Sequence, residues 1–379
     1  MATATLSSLI FAVTLSVLLV IHGLSSAFDL DCNYTSPPTI EALEATPKEW
    51  RNGSLLAFAR TADADGSCSS LDPRRCQILF APLTTSSLNT SAKIGVLFYG
   101  GALVDPRSYS PIAKSLSEKY GFAVAIPVFS KDLATIGPKC QTGRVELAAA
   151  AFPGVEKWVL GGHSMGGIAA QFDLFTAVSR NQAEHIGGLF LLGSYVQEKD
   201  DVDSSCGQVD LSMFDLPAAA VTASNDRVVD RTGWEKGKKY LPANNTFYLD
   251  ILGGNHSQFG SYDTSGRYAA LGDYGVDGNA TVPELVQRAL SIDAIVHVAS
   301  RMGIPLPTII APSCDEQYQN SASGGYNNNE IEGELQQNRE QTITQDRDAV
   351  QEPASTAGTA GTLQGVFLEV LDHFLRGSG

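Results

Sequence analysis

From residue 93 onward, short apolar runs alternate with longer segments whose apolar positions recur every three or four residues. KIGVLFYGG (93–101), FAVAIPVF (122–129), KWVLGGH (157–163), GLFLLGSY (188–195), PAAAVTAS (217–224) and TFYLDILGG (246–254) are the short runs, and several end in glycine. Runs of this length and composition predict strands covered on both faces. SYSPIAKSLSEKYG (108–121), TGRVELAAAAF (142–152) and MGGIAAQFDLFTAVSRN (165–181) lie between them, and VPELVQRALSIDAIVHVASRMG (282–303) follows the last. These predict helices; the first sets Ile112 and Leu116 on one face and stops at Gly121. The alternation predicts an α/β fold with a mostly parallel central sheet and helices on both faces. In such sheets ligand sites lie outside the carboxyl ends of the strands, so chemistry should reside in residues just after a strand.

The flanks read differently. Residues 1–27, MATATLSSLIFAVTLSVLLVIHGLSSA, hold an apolar stretch at 9–21 followed by small residues, with Ser25 and Ala27 fitting a cleavage site. That predicts a secretory signal peptide and a chain that is secreted or held in the secretory lumen, with an uncleaved signal anchor as the alternative. Residues 28–92 are rich in turn formers and carry one strand, CQILFAP (76–82). The α/β domain runs over 93–312. From 313 to 361 the chain turns to Gln, Asn, Glu, Asp, Ser and Gly, which predicts a disordered acidic linker. In 362–379, Leu363, Val366, Phe367, Val370, Leu371 and Phe374 recur at helical spacing, which predicts an amphipathic helix docked on the domain.

The 379 residues carry a formal net charge of -15, and no Lys/Arg cluster interrupts the acidity. That excludes nucleic acid and anionic membrane surfaces as partners, since both require basic patches. Export changes how Cys32, Cys68, Cys76, Cys140, Cys206 and Cys314 are read: in an oxidising compartment they allow up to three disulfides. Cys68 and Cys76 close a short polar loop and form the first expected pair. No CxxC motif or His-rich cluster points to a metal. The acceptor triplets at Asn33, Asn52, Asn89, Asn244 and Asn279 are candidate N-glycan sites.

GVEKWVLGGHSMGG (154–167) runs a strand into Gly-x-Ser-x-Gly and then opens a helix. This is the setting of a nucleophile elbow, in which Ser164 sits on a strained turn while Gly162 and Gly166 let strand and helix approach closely. A serine hydroxyl is a poor nucleophile near neutral pH and needs a base. Of the six histidines, His256 alone follows a late strand, in the loop GGNHSQFG. The base needs an acid to fix its tautomer. Asp226 follows the strand PAAAVTAS directly, and Asp230 is the alternative. An oxyanion hole needs two backbone N–H donors. Met165 is expected to supply one and Ala102 the other, with Gly101 permitting the close approach. A sequon, Asn255-His256-Ser257, surrounds the expected base, and Asn255 is expected to stay unmodified.

FYGGALVDPRSYSPIAKSLSEKYGFAVAIPV (98–128), VLGGHSMGGIAAQ (159–171), TASNDRVVD (222–230) and GGNHSQFGSY (253–262) together resemble the α/β-hydrolase superfamily, and look most like its alpha/beta hydrolase fold-5 family. The resemblance covers roughly 93–303. It implies an eight-stranded-type sheet, a Ser164–Asp226–His256 triad, and hydrolysis of ester-like bonds; with such a triad no metal or organic cofactor is expected. The stretch VQEKDDVDSSCGQVDLSMFDL (196–216) is short, acidic and lacks an apolar face, so no sizeable lid is expected and the substrate should be a small or medium soluble ester. The expectation is a secreted serine hydrolase of carboxylesterase type. The alternatives are a thioesterase or lipase using the same triad, or a non-catalytic extracellular binding module on the same scaffold.

Overall fold

Every apolar run named above becomes a strand. In the computed structural model, residues 35–64, 66–70, 72–82, 92–134, 143–181, 183–194, 196, 210–265 and 277–306 are described. The expected signal peptide, the acidic linker and the final helix lie outside these residues. So do Cys32, Cys140, Cys206, Cys314, Asn33, Asn89 and most of 196–216.

In chain order the elements are α1 (Ile40–Ala45), α2 (Lys48–Arg51), α3 (Ser54–Ala64), β1 (Gln77–Phe80), β2 (Ile94–Tyr99), α4 (Ser110–Tyr120), β3 (Ala123–Pro127) and α5 (Arg144–Ala151). They continue with β4 (Lys157–His163), α6 (Met165–Ser179), β5 (Ile186–Leu192), β6 (Ala218–Ala223), α7 (Arg231–Gly237), β7 (Thr246–Ile251) and α8 (Glu284–Ser300). The strands form one sheet in the order β1-β3-β2-β4-β5-β6-β7. β1 runs antiparallel to β3, and every other neighbouring pair is parallel. Seven strands stand among the described residues, where the resemblance implied an eight-stranded type.

The strands alternate side chains between two cores, as a pleat requires. Val96 and Phe98 of β2, Phe190 and Leu192 of β5, and Val221 of β6 join one cluster with α4 and α8. Leu97 and Tyr99, Leu189 and Leu191, and Ala220 join the other, with α5, α6 and Trp234 of α7. All six residues of β2 and of β6 are buried, which is why these strands read as continuous apolar runs rather than alternating ones.

Residues 35–80 depart from expectation. They build three helices where turns were expected, and they complete the sheet. Pro47 and Gly53 break the stretch into pieces too short for a strong periodic signal, yet in α3 Leu56, Ala59, Ala62 and Asp63 bury one side. Trp50 and Leu56 join the core beside Ile112 and Leu116. The Cys68–Cys76 disulfide forms as expected and ties the chain after α3 to the start of β1. Among the described residues no helix is long and apolar enough to cross a membrane.

Candidate active site

The turn after β4 has distorted backbone at the sheet's carboxyl edge. Ser164 has φ 54 and ψ -126, outside the regions ordinary residues occupy, and it caps the N-terminus of α6. Its N–H donates to the Leu192 carbonyl at 3.0 Å, and its own carbonyl accepts from Gly167 N–H at 3.0 Å. Gly162 and Gly166 make the turn possible. A Cβ on either would stand inside 3.0 Å of the Tyr99 carbonyl oxygen, and one on Gly162 would stand 2.9 Å from the Gly166 backbone. Strand β2, the end of β4 and the first turn of α6 therefore meet with no room for a methyl group.

His256 and Asp226 come together from two other strand ends. Asp226 follows β6 and His256 follows β7. His256 Nδ1 lies 2.8 Å from Asp226 Oδ2, with both side chains almost wholly buried. The other carboxylate oxygen accepts from Val228 N–H at 2.8 Å and Val229 N–H at 2.9 Å. An oxygen pair engaged this way acts as an acceptor, so His256 carries its proton on Nδ1 and donates it to Asp226. Nε2 is then left as an acceptor; it is buried and has no hydrogen-bond partner among the described residues. Asp230 is placed elsewhere: it caps α7, accepting from Thr232 N–H and Gly233 N–H.

The loop that carries His256 is held from behind. The fully buried Gln287 of α8 accepts from Asn255 N–H at 3.0 Å and donates to the Asn255 carbonyl at 2.7 Å. Asp277 accepts from Ser257 N–H at 2.7 Å.

Ser164 and His256 are linked through their neighbours. The rings of His163, the residue before the serine, and His256 have centroids 4.5 Å apart. Gly193, which follows the Leu192 that accepts from Ser164, lies so close to His256 that a Cβ there would stand 3.2 Å from Nδ1.

The two residues expected to supply N–H donors lie in one cluster. Met165 is the first residue of α6, where the helix leaves its N–H groups unpaired and its dipole favours negative charge. Ala102 shares a small buried cluster with Met165, Leu133 and Leu103. Gly101 is needed here: a Cβ would stand 2.9 Å from His163 Nδ1 and 3.0 Å from the Tyr109 hydroxyl.

That hydroxyl is a feature the sequence did not signal. Tyr109 accepts from Gly101 N–H at 2.8 Å and lies 2.9 Å from His163 Nδ1, so one phenol joins the Ala102 loop to the end of β4. Behind the elbow, Tyr99 donates to Asp173 at 2.5 Å. Burial pushes the Tyr99 hydroxyl well above its usual value and raises Asp173.

Residues 95–277 match the sequence model of a family described as the alpha/beta hydrolase family. No curated protein matches the chain significantly. Among solved structures, esterase 2 of Thermogutta terrifontis phosphonylated by cyclosarin is similar, with 11% identity and a TM-score of 0.44, covering 61% of this chain and 90% of that one. Est1E from Butyrivibrio proteoclasticus with bound ferulic acid is similar too, with 13% identity and a TM-score of 0.39, covering 59% of this chain and 95% of that one.

Proposed function

Because residues 95–277 match the model of the alpha/beta hydrolase family, we propose that the chain is a serine hydrolase that cleaves carboxylic esters of small or medium size through an acyl-enzyme. Ser164 is the nucleophile, His256 the general base and acid, and Asp226 the residue that orients His256. The observation that carries the reading is the His256–Asp226 hydrogen bond of 2.8 Å, with Nε2 unpartnered among the described residues and the His256 ring 4.5 Å from that of His163, the residue before the strained Ser164.

Ser164 Oγ attacks the ester carbonyl as its proton passes to His256 Nε2. The negative charge that develops on the carbonyl oxygen is met by the N–H groups of Met165 and Ala102, each such donor being worth roughly 3–4 kcal/mol. The C–O bond to the alcohol breaks, and the leaving oxygen takes the proton from His256. Water then attacks the acyl group, giving up its proton to the same nitrogen, and Ser164 leaves with a proton restored. Asp226 stays ionised throughout and compensates the imidazolium.

The chain is proposed to act outside the cytosol. The Cys68–Cys76 disulfide supports an oxidising compartment, and the exposed sequon residues Asn52, Asn244 and Asn279 are available for glycans.

Labelling by a fluorophosphonate probe, comparing wild type with Ser164→Ala, tests the nucleophile. Labelling of wild type alone is expected; failure of wild type to label would favour a binding module on this scaffold. A series of p-nitrophenyl esters of increasing chain length tests the substrate class. A strong preference for emulsified long-chain esters over soluble short ones would overturn it.

A further inference from the structure

The loop that carries Ala102 is anchored on one side by Asp132 and on the other by Ser36, which lies outside the family match. Leu103 N–H donates to the Asp132 carbonyl at 2.9 Å, and the Leu103 carbonyl accepts from Ser36 N–H at 2.8 Å. Leu103, Lys131 and Asp132 have φ of 55, 55 and 52; with Ser164 they make four of the five non-glycine residues with positive φ among the described residues. Backbone strain is thus concentrated in two touching loops and the serine turn. Such residues persist only where their surroundings over-determine them.

Here α3 supplies the determination. Arg60 grips Asp132 with both ends of its fork, Nε to Oδ1 at 2.9 Å and Nη2 to Oδ2 at 2.5 Å. The Thr35 hydroxyl donates to Oδ2 at 2.9 Å. One turn further along α3, Asp63 accepts from Ser130 N–H at 2.7 Å and pairs with the buried Arg144. The Asp132 side chain is only 2% exposed and that of Arg60 18%, so this is not a surface ion pair of negligible worth. Removing the guanidinium would leave a buried carboxylate beside a strained turn with only the Thr35 hydroxyl among the side-chain donors named above.

We propose that Arg60 is a positioning residue for ester hydrolysis at Ser164: through Asp132 and the Asp132–Leu103 backbone bond it sets the aim of the Ala102 N–H. The inference rests on the reading of Ser164 as nucleophile. It makes the N-terminal helices, which precede the family-matched segment at 95–277, part of the catalytic apparatus rather than an appendage.

The test uses the full chain with Arg60→Met and Arg60→Lys. The measurements are kcat and KM on p-nitrophenyl butyrate, inhibition by a trifluoromethyl ketone that forms a hemiketal with the serine, and hydrogen exchange of the Leu103 amide. In Arg60→Met, kcat should fall about 10- to 100-fold, the scale of a displacement near 1 Å in a positioned group. KM should stay within about twofold, and the ketone should lose affinity by the same factor as kcat/KM. Leu103 exchange should accelerate while β4 amides do not change. Arg60→Lys keeps charge without the fork and should recover part of each loss. If Arg60→Met fails to fold, Arg60→Lys carries the test alone, with smaller changes in the same direction. Unchanged kcat and ketone affinity in the folded variants, or an unchanged Leu103 exchange rate, would overturn the inference. A wild type that neither hydrolyses the ester nor labels with fluorophosphonate would overturn the reading of Ser164 and this inference with it. An active wild type indifferent to Arg60 overturns this inference alone.

Discussion

Gly166→Ala adds one methyl group where α6 leaves the serine turn. That methyl would fall inside 3.0 Å of the carbonyl oxygens of Tyr99 and Gly100, both of them backbone atoms. No side-chain rotation relieves such a contact, so β2 and α6 must part by on the order of 1 Å, at a cost of roughly 1–3 kcal/mol of strain. The displaced atoms are those beside Ser164 and the Met165 N–H. A shift of that size in a positioned group costs about 100-fold in rate. Gly187→Ala is the control: its Cβ would meet the flexible Met302 thioether, with Sδ at 2.5 Å, and Lys157 Cβ at 3.1 Å. Thioether rotation absorbs the first contact and a shift of a few tenths of an ångström the second, so the loss of stability and rate should be much smaller than in Gly166→Ala. The assay is kcat on a soluble p-nitrophenyl ester together with Tm for both variants. A Gly166→Ala chain with wild-type kcat and Tm would refute the reasoning, as would a Gly187→Ala chain equally damaged.

Asp226→Asn keeps the shape of the side chain but removes the acceptor that holds His256 in its Nδ1–H form, so kcat should fall by about 10,000-fold with KM little changed; a loss below tenfold would exclude Asp226 from this role. Burial pushes the Asp132 carboxyl up to about 6 despite the opposing pull of Arg60. Since its unfolded value is ~3.9, the folded chain binds this proton more tightly than the unfolded chain, and the associated stability is full below about pH 4 and lost as pH rises through about 6, by roughly 3 kcal/mol. Urea midpoints of Asp132→Asn from pH 4 to 7 should lack that decline; the same slope in variant and wild type would contradict it. Asn255 Nδ2, the atom a glycan would occupy, donates to the Gly278 carbonyl at 2.8 Å. Glycopeptide mass spectrometry of the active chain should find Asn255 bare, and high occupancy there would be incompatible with His256 as the base.

The pattern of residues carried most of the fold because the relevant signals are local. β4, Gly162, Ser164, Gly166 and α6 are contiguous, so strand period, glycine spacing and helix period appear in one stretch of sequence. Asp226 and His256 were found one at a time by their places after β6 and β7, and the sheet then joined them across 30 residues. The order and direction of parallel strands follow from strand–helix alternation, which leaves few ways to bury both faces. What tertiary structure alone decided are the pairings that no period encodes. Arg60 meets Asp132 across 72 residues, and Tyr109 meets His163 across 54. Each of these residues has an ordinary local context, because an ion pair or a phenol bridge depends on where two elements dock and not on the spacing within either. The three N-terminal helices were missed for a related reason. Their apolar faces are short, and their stability comes from the core they cover, so only packing against α4 and the sheet reveals them.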